Sequence, residues 1–142
     1  WQVSGNYTRI FSGGRFLMPR EWGREPFFTF MQRERNEGLG IVQAGLLKIT
    51  RRIPKFFSTV DVGIGLYNLP DILAFANNKY GLPSYGQANL LFNHRFNKAL
   101  KGLEAEFLYT YKWNRGNTHN KPNAVINKVN MSNINLVFNY FF

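Results

Sequence analysis

Period-two alternation of apolar and polar side chains recurs along the chain, whereas apolar positions at helical spacing are scarce, so strands are the predicted elements. Residues 103–113 show the pattern best. Leu103, Ala105, Phe107, Tyr109, Tyr111 and Trp113 fall on one face, and Glu104, Glu106, Thr110 and Lys112 on the other, with Leu108 out of phase. Such a strand is about 11 residues long, beyond the roughly 5–6 usual in globular sheets and within the 9–11 that a tilted strand needs to cross a bilayer. Residues 58–68 set Val60, Val62, Ile64 and Leu66 against Thr59, Asp61, Gly63, Gly65 and Tyr67. Residues 87–97 set Ala88, Leu90, Phe92 and Phe96 against Asn89, Asn93, Arg95 and Asn97. From residue 1 to about residue 11, Trp1, Val3, Gly5 and Tyr7 alternate with Gln2, Ser4, Asn6 and Thr8. A strand over 39–52 has two nearly equally apolar faces, which leaves its orientation open. A sixth runs from about residue 127 to residue 142.

The links between these strands alternate in length. Residues 52–56 and 97–103 are short, while 12–38, 69–86 and 115–126 are long and rich in Gly, Pro and Asn. Outer-membrane barrels alternate brief periplasmic turns with longer outside loops in this way. Six strands would put both chain ends on the short-turn side.

The last strand ends in Ile134, Leu136, Phe138, Tyr140 and Phe142 on one face; Phe141 apart, the other holds Asn133, Asn135, Val137 and Asn139. This resembles the C-terminal sorting signal of outer-membrane barrels, a terminal aromatic preceded by apolar residues at every second position. The resemblance implies recognition of that strand by the barrel assembly machinery. A soluble antiparallel sheet with one buried face alternates similarly. Strand length, loop alternation and aromatics at strand ends (Trp1, Tyr111, Trp113, Phe142) favour the membrane instead, where such rings sit at the interfaces.

Composition changes this picture little. Mean hydropathy is −0.30, which suits a barrel whose strands are polar at every second residue. Fourteen Phe, seven Tyr and three Trp supply the rings. Cysteine is absent, which removes disulfides and thiolate chemistry. No apolar run reaches the 18 or more residues of a transmembrane helix. The net charge of +10 points to an anionic partner: acidic lipid or lipopolysaccharide, anionic solutes, or nucleic acid. Nucleic acid is disfavoured, because no aromatic stacking platform accompanies the cations. Arg51, Arg52, Lys55, Lys98 and Lys101 gather at the short turns, where they can snorkel to headgroups.

One segment departs from the strand pattern. Residues 15–38 hold Arg15, Arg20, Arg24, Arg33 and Arg35, together with Glu21, Glu25, Glu34 and Glu37. Large apolar residues (Phe16, Leu17, Trp22, Phe27, Phe28, Phe30) are interleaved with them. A solvated loop would not carry that many rings, so the segment is predicted to fold, packing its aromatics and pointing Arg and Glu at a passage. The run Gly14-Arg15-Phe16-Leu17, then 19–30 (Pro19 to Phe30), then Arg33-Glu34-Arg35-Asn36-Glu37-Gly38, resembles a segment of OprD-type outer-membrane porins. With the closing strand, the resemblance spans most of the chain. It implies an 18-stranded monomeric channel, narrowed by inward loops and an arginine-lined path, that admits small polar solutes, often carboxylates. This chain would supply only its last third, and the main constriction loop would lie upstream.

Expected pore-lining residues are Arg15, Arg20, Arg24, Arg33, Arg35, Glu21 and Glu25 of the segment, and Asp61, Arg95, Glu106 and Lys112 of the inward strand faces. Arg95 and Glu106, on neighbouring strands, are placed to pair with each other. Enzyme chemistry is not expected. His94 falls in the lipid-facing phase with no serine seen in the same phase of an adjacent strand, His119 reads as a loop residue, and no cluster has metal-ligand spacing. No cofactor is expected. The whole chain, 1–142, is thus predicted to be the C-terminal part of one all-β antiparallel transmembrane barrel in the bacterial outer membrane. Its expected partners are outer-membrane lipid, lipopolysaccharide and small polar solutes. The competing expectation is a plugged barrel serving as a structural or adhesive scaffold.

Overall fold

A computed structural model describes residues 1–17, 27–34, 37–120 and 129–142. They form one six-stranded antiparallel sheet: β1 Gln2–Arg9, β2 Gln43–Ile53, β3 Ser58–Asn68, β4 Tyr85–Arg95, β5 Leu103–Asn114 and β6 Met131–Tyr140. The spatial order follows the chain order, β1-β2-β3-β4-β5-β6. Each strand therefore pairs with its sequence neighbour, and β1 and β6 form the two edges. Among the described residues no helix is long and apolar enough to cross a membrane.

The short links are single helical turns. Pro54–Phe56 closes β2 onto β3 with Phe57 left-handed at φ 51°, and its amide donates to the Pro54 carbonyl. Lys98–Leu100 does the same between β4 and β5, with Lys98 at φ 54°. These turns fix the register, so that Leu47 faces Ile64 across β2 and β3, and Arg95 faces Glu104 across β4 and β5. Both chain ends lie at the same end of the sheet as these turns.

The two faces of the sheet differ as the alternation predicts. Val62, Ile64, Leu66, Leu90, Phe92, Tyr111, Ile134, Leu136, Phe138 and Tyr140 are all exposed on the outer face. Facing the other way are Tyr67, Tyr85, Gln87, Leu108, Thr110 and Lys112, all buried. β2, whose orientation the sequence leaves open, is decided by its partners. Ala44 pairs with the buried Tyr67, so Ala44, Leu46, Lys48 and Thr50 face inward, and Leu47 and Ile49 join the exposed outer face.

What covers the inner face is the β1–β2 loop. Its described residues 27–34 cross the strands at the loop end of the sheet. Thr29 Oγ1 donates to Thr8 Oγ1 on β1 at 2.8 Å, and Tyr67 Oη on β3 donates to the Thr29 carbonyl at 2.8 Å. Gln87 Nε2 on β4 donates to the Gln32 carbonyl at 2.7 Å. Met31 enters the core with Leu46, Tyr67 and Tyr85, whose rings stack at 4.7 Å. The expectation of a folded segment that packs its apolar residues holds in part: Phe16 and Phe27 meet edge-on at 4.8 Å, whereas Leu17 and Phe28 are exposed. Arg20, Glu21, Arg24, Glu25 and Arg35 lie outside the described residues.

Two glycines make the seat for Met31. A Cβ on Gly65 would stand 2.8 Å from Met31 Sδ and 2.8 Å from the Tyr67 ring, whereas one on Gly63 would meet only the tip of Met31 at 3.3 Å and ordinary contacts beyond. Tyr67 is stacked and hydrogen-bonded, so it cannot yield. Gly65→Ala is therefore expected to cost about 1–3 kcal/mol, as overpacking does, and Gly63→Ala much less. Equilibrium unfolding of the two variants checks this; equal cost at both positions would refute the seat.

Candidate functional site

Towards the short turns the loop gives way to open space. A cavity of about 920 Å³ is lined by Gln2 and Ser4 of β1, Lys48, Thr50 and Arg52 of β2, Asp61 of β3, Asn93 and Arg95 of β4, Glu104 and Glu106 of β5, and Asn139 of β6. All six strands contribute to one hollow, so the sheet curls around it. The inner face thus has two halves, one filled by loop residues and one polar and open.

The charges in the open half are balanced, three basic groups against three carboxylates. Lys48 Nζ lies 3.6 Å from Asp61 Oδ1, and Thr50 Oγ1 also donates to that carboxylate. Arg95 Nε sits 2.7 Å from Glu104 Oε1. The predicted Arg95–Glu106 pair is thereby corrected: the turn at Lys98–Leu100 sets a register in which Glu104, not Glu106, opposes Arg95. Such partly exposed pairs add at most about 1 kcal/mol each to stability, and their larger effect is to orient the wall. Arg52 and Glu106 have no ion-pair partner among the described residues.

Three of the predicted pore-lining residues sit elsewhere. Lys112 does not reach the cavity. It is 8% exposed, with its ammonium 4.7 Å from the Tyr85 ring centroid and electrostatically coupled to the buried Glu34 of the loop. The expectation of a water-lined position fails because the loop closes over that end of β5. Arg33, left-handed at φ 70°, is exposed and donates to Asn135 Oδ1 on the inner face of β6. Arg15 is exposed at the loop end, away from the cavity. Asp61, Arg95 and Glu106 do line it. At the chain end, Ile134, Leu136, Phe138 and Tyr140 share the outer face of β6, and Phe142 packs edge-on against Tyr140 at 5.1 Å.

Two features escaped the sequence reading. Asn78 is fully buried and knots the β3–β4 loop: Nδ2 donates to the Pro70 carbonyl at 3.0 Å and the Leu82 carbonyl at 2.8 Å, and Oδ1 accepts from Leu82 N at 3.0 Å. A lone Asn among several carries no sequence signal for this. The other is Ser58, which pairs with His94 across β3 and β4, so a serine does share the phase of His94. Its Oγ lies 2.9 Å from His94 Nδ1 and 2.9 Å from the Phe56 carbonyl. His94 also packs between Phe92 and Phe96.

The outer loops are tied to one another. His119 Nε2 lies 2.6 Å from Asp71 Oδ2, joining the β5–β6 loop to the β3–β4 loop. The Leu73 amide and then His119 hold the Asp71 carboxyl below its ordinary range. Arg115 N donates to the Ser84 carbonyl at 2.8 Å, and Gly40 N to the Asn77 carbonyl at 2.7 Å, so all three loops share hydrogen bonds.

Comparison with protein-family models, curated proteins and solved structures finds no match to this chain.

Proposed function

We propose that this chain forms the C-terminal part of an outer-membrane β-barrel channel of OprD-like type, admitting small polar solutes. The observation that carries the reading is the inversion of the sheet: apolar side chains are exposed on its outer face while its inner face holds a polar cavity. In water that arrangement wastes apolar burial; in lipid it is the favourable one. Strand length agrees. β2, β3 and β4 have 11 residues each and β5 has 12, enough for a tilted span of the hydrocarbon layer. Trp113, whose indole lies against Gly86, and Tyr111 mark the loop-end girdle, while Trp1 and Phe142 mark the turn-end one.

Unpaired strand edges cost several kcal/mol per group in hydrocarbon, and about eight strands make the smallest barrel. Strands from elsewhere in the full protein therefore join β1 and β6 to close the cylinder. Solutes would cross the polar half past Arg52 and Glu106 and meet the narrowing made by residues 27–34. Attraction of carboxylates rests on Arg52 and on the arginines of residues 15–38.

The seating of Met31 in the inner face supports a second reading, a plugged barrel with a structural or adhesive role. Conductance separates them. The full protein in a planar bilayer is expected to give discrete current steps, and Arg52→Gln is expected to shift ion selectivity away from anions at low salt, where the field is least screened. Folded, inserted protein that conducts no ions would sink the channel and leave the scaffold.

A further inference from the structure

The end of the sheet that carries the short turns has a composition of its own. Arg51, Lys55, Lys98 and Lys101 are all exposed there. The side-chain carboxylates that follow the two turns in the chain, Asp61 and Glu104, are paired with Lys48 and Arg95. Exposed rings stand among these cations: Trp1 at 82%, Phe56 at 61% and Phe141 at 62%. Arg51 and Trp1 meet across the β1–β2 pair, with the guanidinium 4.7 Å from the ring centroid, and Lys55 Nζ lies 5.9 Å from the Phe56 centroid.

We propose that this rim is a binding surface for the phosphate headgroups of anionic phospholipids, an inference that rests on the membrane reading above. Three observations select that occupant. The rim is continuous with the apolar outer face, where Ile49 is exposed two residues before Arg51 and Phe92 three residues before the end of β4. Rings that are apolar in body and polarisable at the face belong at the depth of headgroups. The cations, on long stems, reach past that depth to where phosphates lie. Nucleic acid would stack bases on the ring faces, and a cation lies over one face of Trp1 and one of Phe56. An acidic protein partner would leave the adjoining apolar belt uncovered.

The test is lipid selectivity of the full protein reconstituted in phosphatidylcholine vesicles. Trace spin-labelled phosphatidylglycerol or spin-labelled phosphatidylcholine is added, and the motionally restricted fraction of each is measured. Phosphatidylglycerol is expected to associate about fivefold more strongly, the equivalent of one cation contact at an anionic membrane surface. The preference is expected to fall towards unity at high salt and in the triple variant Lys55→Gln, Lys98→Gln, Lys101→Gln. These three side chains are exposed turn residues, so folding is expected to survive. Equal association of the two lipids with inserted protein overturns the proposal, as does a preference that persists in the triple variant. If neither label is restricted, the protein is not in the bilayer and the membrane reading itself fails.

Discussion

Lys112→Ala is expected to destabilise the folded protein by about 2–5 kcal/mol, as truncation of a long buried side chain does. Lys112 is 8% exposed and Glu34 is 6% exposed, one on β5 and the other in the loop that covers it. The ammonium sits over the Tyr85 ring and is coupled to the Glu34 carboxylate. The substitution removes the aliphatic stem that fills the space beside Tyr85. Lys112→Met keeps most of that volume and separates packing from charge. Combined with Glu34→Gln in a double-mutant cycle, it is expected to show a coupling well above the few tenths of a kcal/mol seen for independent sites. Denaturant unfolding in detergent or lipid provides the measurement. Should Lys112→Ala unfold within 1 kcal/mol of the parent, the packing of this side chain beside Tyr85 does not hold that end of the sheet.

Val62→Arg is expected to cost about 2–4 kcal/mol if that position lies near the bilayer midplane. Val62 is 50% exposed in the middle of β3, beside Ile49 and Leu90 on its two neighbours. The sign of this effect separates the two environments. On a sheet facing water, an exposed Val replaced by Arg is close to neutral, because surface changes stay within about 0.5 kcal/mol. In hydrocarbon the guanidinium must be desolvated or must drag water and headgroups towards it. Asn93→Arg, on the adjacent strand but lining the cavity, serves as the control and is expected to fold normally. Refolding into vesicles, followed by gel mobility with and without heating, reads both. A Val62→Arg protein as stable as the control would place the outer face in water.

In the proposed channel, the balance of charge in the cavity would bear on selectivity. Lys48–Asp61 and Arg95–Glu104 largely cancel within the wall. The field felt by a solute on the described surface then comes chiefly from Arg52 and Glu106, of opposite sign. An arginine-lined path, implied by the porin resemblance, would have to draw on Arg20, Arg24 and Arg35, which lie outside the described residues.

Much of the architecture was legible because a strand writes its two faces into alternate residues. Residues 58–68 are β3 to the residue, and the inward and outward sets of β3, β4, β5 and β6 match the alternation. The order of links, short against long, placed both chain ends at the short-turn end of the sheet. β2 was ambiguous for a physical reason: Leu46 faces inward under Met31 and Leu47 faces outward, so both neighbours are apolar and periodicity carries no phase. Only pairing with β3 decides it. Register was equally beyond the sequence. Whether Arg95 meets Glu104 or Glu106, and whether Ser58 meets His94, depends on how many residues a turn consumes, and that follows from left-handed Lys98 and Phe57. The burial of Lys112 depended on a loop more than seventy residues earlier in the chain folding across β5. Alternation reports which way a side chain points; what stands opposite it is set by long-range packing, and no local pattern encodes that.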